Sequence, residues 1–192
     1  PPEKEEAGTP NLPGVVALSR SIEILSEIGF DYIQEHERHL TSYMLKRLAE
    51  IPEVIIHSDP NPQMSENRVG VIPINVKGME HSLLAAILGF EWGIGVRHGC
   101  FCAHPYIMHL FNIHPDEVQP YLEQIRRGDH RGLPGFVRIS FALYNTTEEI
   151  DYFISALKQI IRQGPQAKYV VQTRTGEYFP EGFDYDYSTY IS

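Results

Sequence analysis

Between Gly93 and Pro105 the chain reads Gly-Ile-Gly-Val-Arg-His-Gly-Cys-Phe-Cys-Ala-His-Pro, so that both cysteines, two histidines and an arginine share one glycine-punctuated stretch. Three chemistries are open to it. Cys102 or Cys100 can be a nucleophile, with Arg97, His98 and His104 close enough in sequence to favour thiolate over thiol. Cys100, Cys102, His104 and His109 can be metal ligands, although the spacing C-x-C-x-H-x4-H lacks the usual C-x2-4-C knuckle. Or the cysteines are small buried hydrophobes. A second candidate lies further on. In Phe136–Phe141 the two-residue period of a strand puts Val137, Ile139 and Phe141 on one face and Arg138 and Ser140 on the other. An arginine so placed can grip a carboxylate through two parallel hydrogen bonds, or stand on a solvated sheet face.

The elements that must hold these residues are legible from pattern. Asn11 caps and Pro13 opens a helix whose Val15, Leu18, Ile22, Leu25 and Ile28 recur at steps of three and four, and Gly29 closes it. A second helix over Asp31–Leu48 turns Ile33, Leu40, Met44 and Leu48 inward, and the two are expected to form an amphipathic pair. Val54–Ile56 and Val69–Val76 are expected strands, the latter confined to an edge or a bulge by Pro73. A helix over Met79–Phe90 leads into the cysteine stretch, where Ile94 and Val96 end a strand, Gly99 turns the chain out of it and the cysteines ride on a loop. Helices over Tyr106–Asn112 and Pro115–Arg127 follow, the second kinked at Pro120. Thr146 and Glu149 make a capping box before Ile150, Phe153, Ile154, Leu157 and Ile161. A hairpin of Tyr169–Thr173 with Glu177–Phe179 and a tyrosine-rich tail through Tyr185, Tyr187 and Tyr190 end the sequence, expected to pack on the domain or on a partner chain.

Composition bounds the function. With 192 residues, 42% hydrophobic and 21% charged, the chain has the makings of a packed core. The formal net charge of −9 argues against nucleic acid or an anionic membrane as the main partner. No apolar run approaches the length of a membrane span, and Pro1–Gly8 is polar and acidic, unlike a signal peptide. Two cysteines one residue apart do not easily make a structural disulfide, so a reducing compartment, by default the cytoplasm, is expected.

Four segments, in order, resemble the class V aminotransferase-like enzymes of fold type I, which use pyridoxal phosphate, and among them the cysteine desulfurases. Gly8-Thr9-Pro10-Asn11 is similar to their G-T-P-N. Ile28-Gly29 through Ile33, with His36-Glu37, is similar to I-G-x-x-x-I-x-x-H-E. Val96-Arg97-His98-Gly99-Cys100-Phe101-Cys102-Ala103-His104-Pro105 resembles V-R-x-G-x-x-C-A-x-P, and Val137-Arg138-Ile139-Ser140 with Tyr144-Asn145-Thr146 resembles V-R-x-S-x-x-x-Y-N-T. The resemblance covers most of 8–161. It implies that Cys102 is the nucleophile that takes sulfur from cofactor-bound cysteine as a persulfide and leaves alanine. It likewise implies that Arg138 grips the substrate carboxylate with Arg97 beside the nucleophile, and that Thr9 reaches the cofactor phosphate across a homodimer interface. Cys100, His98 and His104 remain possible accessories, and Gly99-Cys100-Phe101-Cys102 also resembles the loop of molybdenum-cofactor sulfurases.

The same resemblance sets expectations about what else is needed. The Schiff-base lysine belongs to a large domain that precedes these motifs, and Lys4, Lys46, Lys77, Lys158 and Lys168 stand in no comparable context. The chain is therefore expected to be an α+β small C-terminal domain with an antiparallel or mixed sheet of about four strands, inactive alone. It divides into a linker and helical pair (1–50), the domain with the cysteine loop (51–164) and an extension (165–192). The expected partners are an amino-acid substrate, a second copy of the chain and a sulfur-acceptor protein. Another class V activity (aminotransferase, epimerase or lyase) and a non-catalytic dimerisation or acceptor-binding module are the alternatives.

Overall fold

In the computed structural model, residues 8–63 and 68–184 are described. Lys4 and the tyrosines at 185, 187 and 190 lie outside them. Helix α1 (Leu12–Ile28) begins where the Asn11 side chain accepts the Gly14 N–H at 3.1 Å, and it ends at Gly29, whose φ of +94° suits glycine. Helix α2 (Phe30–Leu48) follows at once. The expected pairing of the two is lopsided: α2 buries Leu40, Met44, Leu45 and Leu48, whereas α1 buries nothing, and Leu12, Val16 and Leu18 are each more than 60% exposed. Its apolar stripe is real and has no partner among the described residues.

Strands β1 (Val54–Ile56), β2 (Val71–Val76), β3 (Arg97–Gly99) and β4 (Phe136–Ser140) form one antiparallel sheet in the order β1-β2-β4-β3. Chain order and sheet order differ because helix α3 (His81–Trp92) carries the chain from β2 over to the far edge, where β3 lies. On one face Ile72, Ile74, Val137 and Ile139 meet Leu84, Ile87 and Leu88 of α3 and Ile150, Phe153, Ile154 and Leu157 of α6 (Thr147–Gln163), all within a single core that includes the second half of α2. Thr146 and Glu149 make the capping box at the start of α6.

Pro73 corrects an expectation, since β2 is an interior strand. The Pro73 carbonyl accepts the His57 N–H at 3.0 Å, so its ring nitrogen also faces the β1 side, one residue past the end of β1. The missing donor falls at the last rung of the ladder, where His57 still donates to Pro73 and only the return bond is lost. Towards β4, Pro73 lies opposite Arg138. Pro120 also behaves differently from expectation. A 3-10 turn over Pro115–Glu117 precedes α5 (Val118–Arg126), so Pro120 falls in a first helical turn, where its absent N–H has no helical acceptor to miss.

The extension forms a hairpin of β5 (Tyr169–Val171) and β6 (Tyr178–Pro180). It is fastened to α3 by rings packed around Phe90, with Phe183 at 4.9 Å, and by the Glu91 carboxylate, which accepts the Gln166 and Ala167 N–H groups at 3.0 and 3.2 Å. Because Leu157 is fully enclosed by the core, Leu157→Ala is expected to lower unfolding free energy by about 2–5 kcal/mol, read by urea denaturation of the chain. The same change at Ile22 on the bare stripe of α1 is expected to cost the chain less than about 0.5 kcal/mol.

Candidate functional site

The antiparallel register of β3 and β4 sets Arg97 directly opposite Arg138, so both side chains leave the same face of the sheet, the one turned away from the core. Like charges at facing positions repel. Among the described residues no ion pair or hydrogen bond relieves either guanidinium, and Nε of Arg138 is buried without a hydrogen-bond partner. What does hold Arg138 is Phe101: the guanidinium carbon stands 4.8 Å from the centre of that ring. The composite offers fixed positive charge and unused N–H donors on a half-open surface, a receptor for a small carboxylate or phosphate anion.

Phe101 reaches this place because the chain turns sharply after β3. Gly99 has φ +108°, and it lies so near Gly135 that a Cβ on Gly135 would meet the Gly99 carbonyl carbon at 2.8 Å and His81 Nε2 at 2.7 Å. The Ala103 N–H then closes a turn onto the Cys100 carbonyl at 2.9 Å, with Phe101 and Cys102 both left-handed at φ +52° and +58°. Two non-glycine residues in that region cost on the order of 1–3 kcal/mol each and persist only where the surroundings impose them. This turn sends Phe101 under Arg138 and leaves Cys102 exposed. Both cysteines are free.

Helix α4 (His104–Leu110) starts on the next residue, and His104 Nε2 lies 3.0 Å from Cys100 Sγ. Of the metal-ligand reading only that pair is assembled: His109 lines the groove between α4 and α5 that His104 also borders, and among the described residues no three His, Cys, Asp or Glu side chains come close enough to hold an ion. His98 points the other way, into the core side of the sheet, with its ring 5.5 Å from that of His81. His81 Nε2 donates to the Leu133 carbonyl at 3.0 Å. Thr9 stands on the exposed segment before α1, and no hydrogen bond joins it to the other candidates. Asn145 and Thr146 act structurally: the Asn145 carbonyl accepts from His36 Nε2 at 3.1 Å, and its side chain meets Ala142 N at 2.6 Å and Glu149 at 2.9 Å. A hollow of about 420 Å³ beside them, lined by Gly95, Ser140, Glu149 and Tyr152 among others, contains none of the candidate residues.

The class-V aminotransferase family profile matches residues 1–153. The chain belongs to the class-V aminotransferase family. A cysteine desulfurase of Wigglesworthia glossinidia brevipalpis is 33% identical over 159 residues, 83% of this chain and 32% of that protein. One from Escherichia coli O127:H6 is 32% identical over 161 residues, 84% of this chain and 33% of that protein. Among solved structures, an apo cysteine desulfurase from Thermococcus onnurineus NA1 superposes with TM-score 0.65 at 31% identity, over 84% of this chain and 34% of that one. The cysteine desulfurase CsdA (S-sulfonic acid) from Escherichia coli gives 0.62 at 25%, over 82% and 32%. The likeness places this class-V chain in the fold type I architecture. It spans about a third of the length of these relatives.

Sequence reading found the arginines and the cysteines of this class-V chain but missed Phe101 as the support of Arg138. Its only trace in the sequence is an aromatic between two cysteines, next to a glycine. The half-buried imidazoles of His57 and His81 were also missed, while His98 was named only as a possible accessory. Burial holds His57, His81 and His98 below the usual imidazole range; the Asn75 contact opposes this at His57, the Leu133 carbonyl and Glu80 at His81, and Glu177 at His98, where His81 and Arg97 add to it. The folded chain therefore binds fewer protons than the unfolded chain below about pH 6.5. The stability these rings contribute is complete above that pH and is lost as pH falls through their depressed folded values. Urea midpoints are expected to fall between pH 7.5 and 5.5, and His81→Gln or His98→Gln to flatten that slope.

Proposed function

We propose that this chain is the C-terminal, substrate-gripping part of a pyridoxal-phosphate-dependent cysteine desulfurase-like enzyme, in which Cys102 takes sulfur from L-cysteine as a persulfide and alanine is released. The observation that carries this reading is the facing pair Arg97 and Arg138, two guanidinium groups without a carboxylate partner among the described residues, beside an exposed cysteine on a constrained turn. Arg138, braced by Phe101, presents its N–H fork to the substrate carboxylate, and Arg97 supplies a second positive charge to the same anion. A fixed carboxylate leaves the rest of the amino acid one approach, and the turn holds Cys102 Sγ at the margin of that surface for attack on the substrate sulfur.

The residues present do not suffice to hold pyridoxal phosphate. Lys77 donates to the Pro52 carbonyl, Lys158 and Lys168 pair with Glu50 and Glu181, and Lys46 is exposed near the end of α2, so no described lysine serves the surface around Arg138. Thr9 is the one candidate for a phosphate contact. In this reading the lysine comes from polypeptide outside this chain, the enzyme acts as a homodimer, and a sulfur-acceptor protein receives the product sulfur.

The test is made on the full-length protein with L-cysteine and pyridoxal phosphate, measuring alanine and protein-bound sulfane sulfur. Cys102→Ala is expected to abolish sulfur transfer; sulfur release at the normal rate from that variant would remove Cys102 from its role. Arg138→Ala is expected to raise KM for cysteine about 10- to 100-fold, the equivalent of one charge-assisted hydrogen-bonded contact.

A further inference from the structure

The turn that exposes Cys102 does something else with Cys100. Closing on the bond from Ala103 N–H to the Cys100 carbonyl, it brings the chain straight into α4, so that the first residue of that helix returns over the first residue of the turn. Cys100 Sγ and His104 Nε2 meet at 3.0 Å, a nucleophile and a base within hydrogen-bond reach. Neither side chain is drawn into any other ion pair or hydrogen bond among the described residues. Cys100 is half-buried, while His104 is exposed and lines one end of an apolar groove of about 790 Å³ between α4 and α5.

The geometry points to Cys100 as a second sulfur-carrying nucleophile, with His104 as its base, that accepts the terminal sulfur from a persulfide on Cys102. This deepens the proposed function and rests on it for the origin of the sulfur. Cys100 Sγ attacks the outer sulfur of the Cys102 persulfide while its proton passes to His104 Nε2. A new S–S bond forms to Cys100, the bond from Cys102 Sγ to the outer sulfur breaks, and its electron pair leaves on Cys102 as thiolate. One sulfur has moved between two thiols, so the step has no net redox change and needs no further reagent. The two cysteines lie two residues apart in one closed turn, so the proposed exchange takes place within a single short segment. Cys102 is freed at the arginine pair, and the sulfur now sits at the rim of the groove.

Two measurements test this without the amino-acid substrate. In a Cys102→Ser chain, Cys100 is alkylated with iodoacetamide at pH 7; His104→Ala, with His104→Gln as the substitute should the alanine variant fail to fold, is expected to slow that reaction about tenfold. In the chain carrying both cysteines, brief charging with inorganic polysulfide followed by trapping and peptide mass spectrometry is expected to find the extra sulfur on Cys100 as well as Cys102. In the His104 variant it is expected on Cys102 alone. An alkylation rate indifferent to His104, or sulfur that stays on Cys102 in the unaltered chain, overturns the proposal. Because polysulfide replaces cysteine here, these outcomes are separate from whether the full-length protein forms alanine.

Discussion

The arrangement depends on a like-charge contact built into a β-ladder. Pairing β3 with β4 at the register Arg97 to Arg138 is imposed by the opposite face, where Val137 and Ile139 are sealed against α3 and α6. A slip of one residue would move those side chains into water and the arginines into the core. Core burial therefore holds two positive groups side by side against their repulsion, and the face they share is prepared for an anion before any arrives. Preorganised charge of this kind acts on a bound anion without the reorganisation that water would require.

The cysteine turn is coupled to that face through one aromatic ring. Phe101 links the conformation of the turn to the position of Arg138, while the same turn aligns Cys100 with the start of α4. The close approach of Gly99 and Gly135 lets the outgoing and returning segments pass each other at the root of the turn. The segment carrying α4 and α5 is not an independent appendage, since Phe111 at the end of α4 stacks on Phe136 of β4 at 5.4 Å, with His57 against the same ring at 4.5 Å.

Much of this was legible in the residues. The α6 stripe, its capping box, Asn11 as a cap and the alternation in β4 each follow from a local rule that tertiary contacts then obey. Pro73 was misplaced because the rule against proline in interior strands concerns one missing N–H, and whether that N–H has a partner depends on where the neighbouring strand ends. The periodicity of α1 correctly gave a helix and could not say what covers it. Phe101 beneath Arg138 was illegible for a different reason: it arises from positive φ at non-glycine residues, which no propensity scale anticipates, whereas the closeness of His104 to the cysteines was readable and only its choice of Cys100 was not.

That backbone conformation gives position 102 a divided loyalty. A left-handed site favours glycine, which would relax the turn and steady the fold, yet glycine has no sulfur. Random variation screened for thermal robustness alone would thus tend to erase the thiol, and selection for chemistry would tend to retain a conformational burden. Robustness and reactivity pull on one side chain in opposite directions.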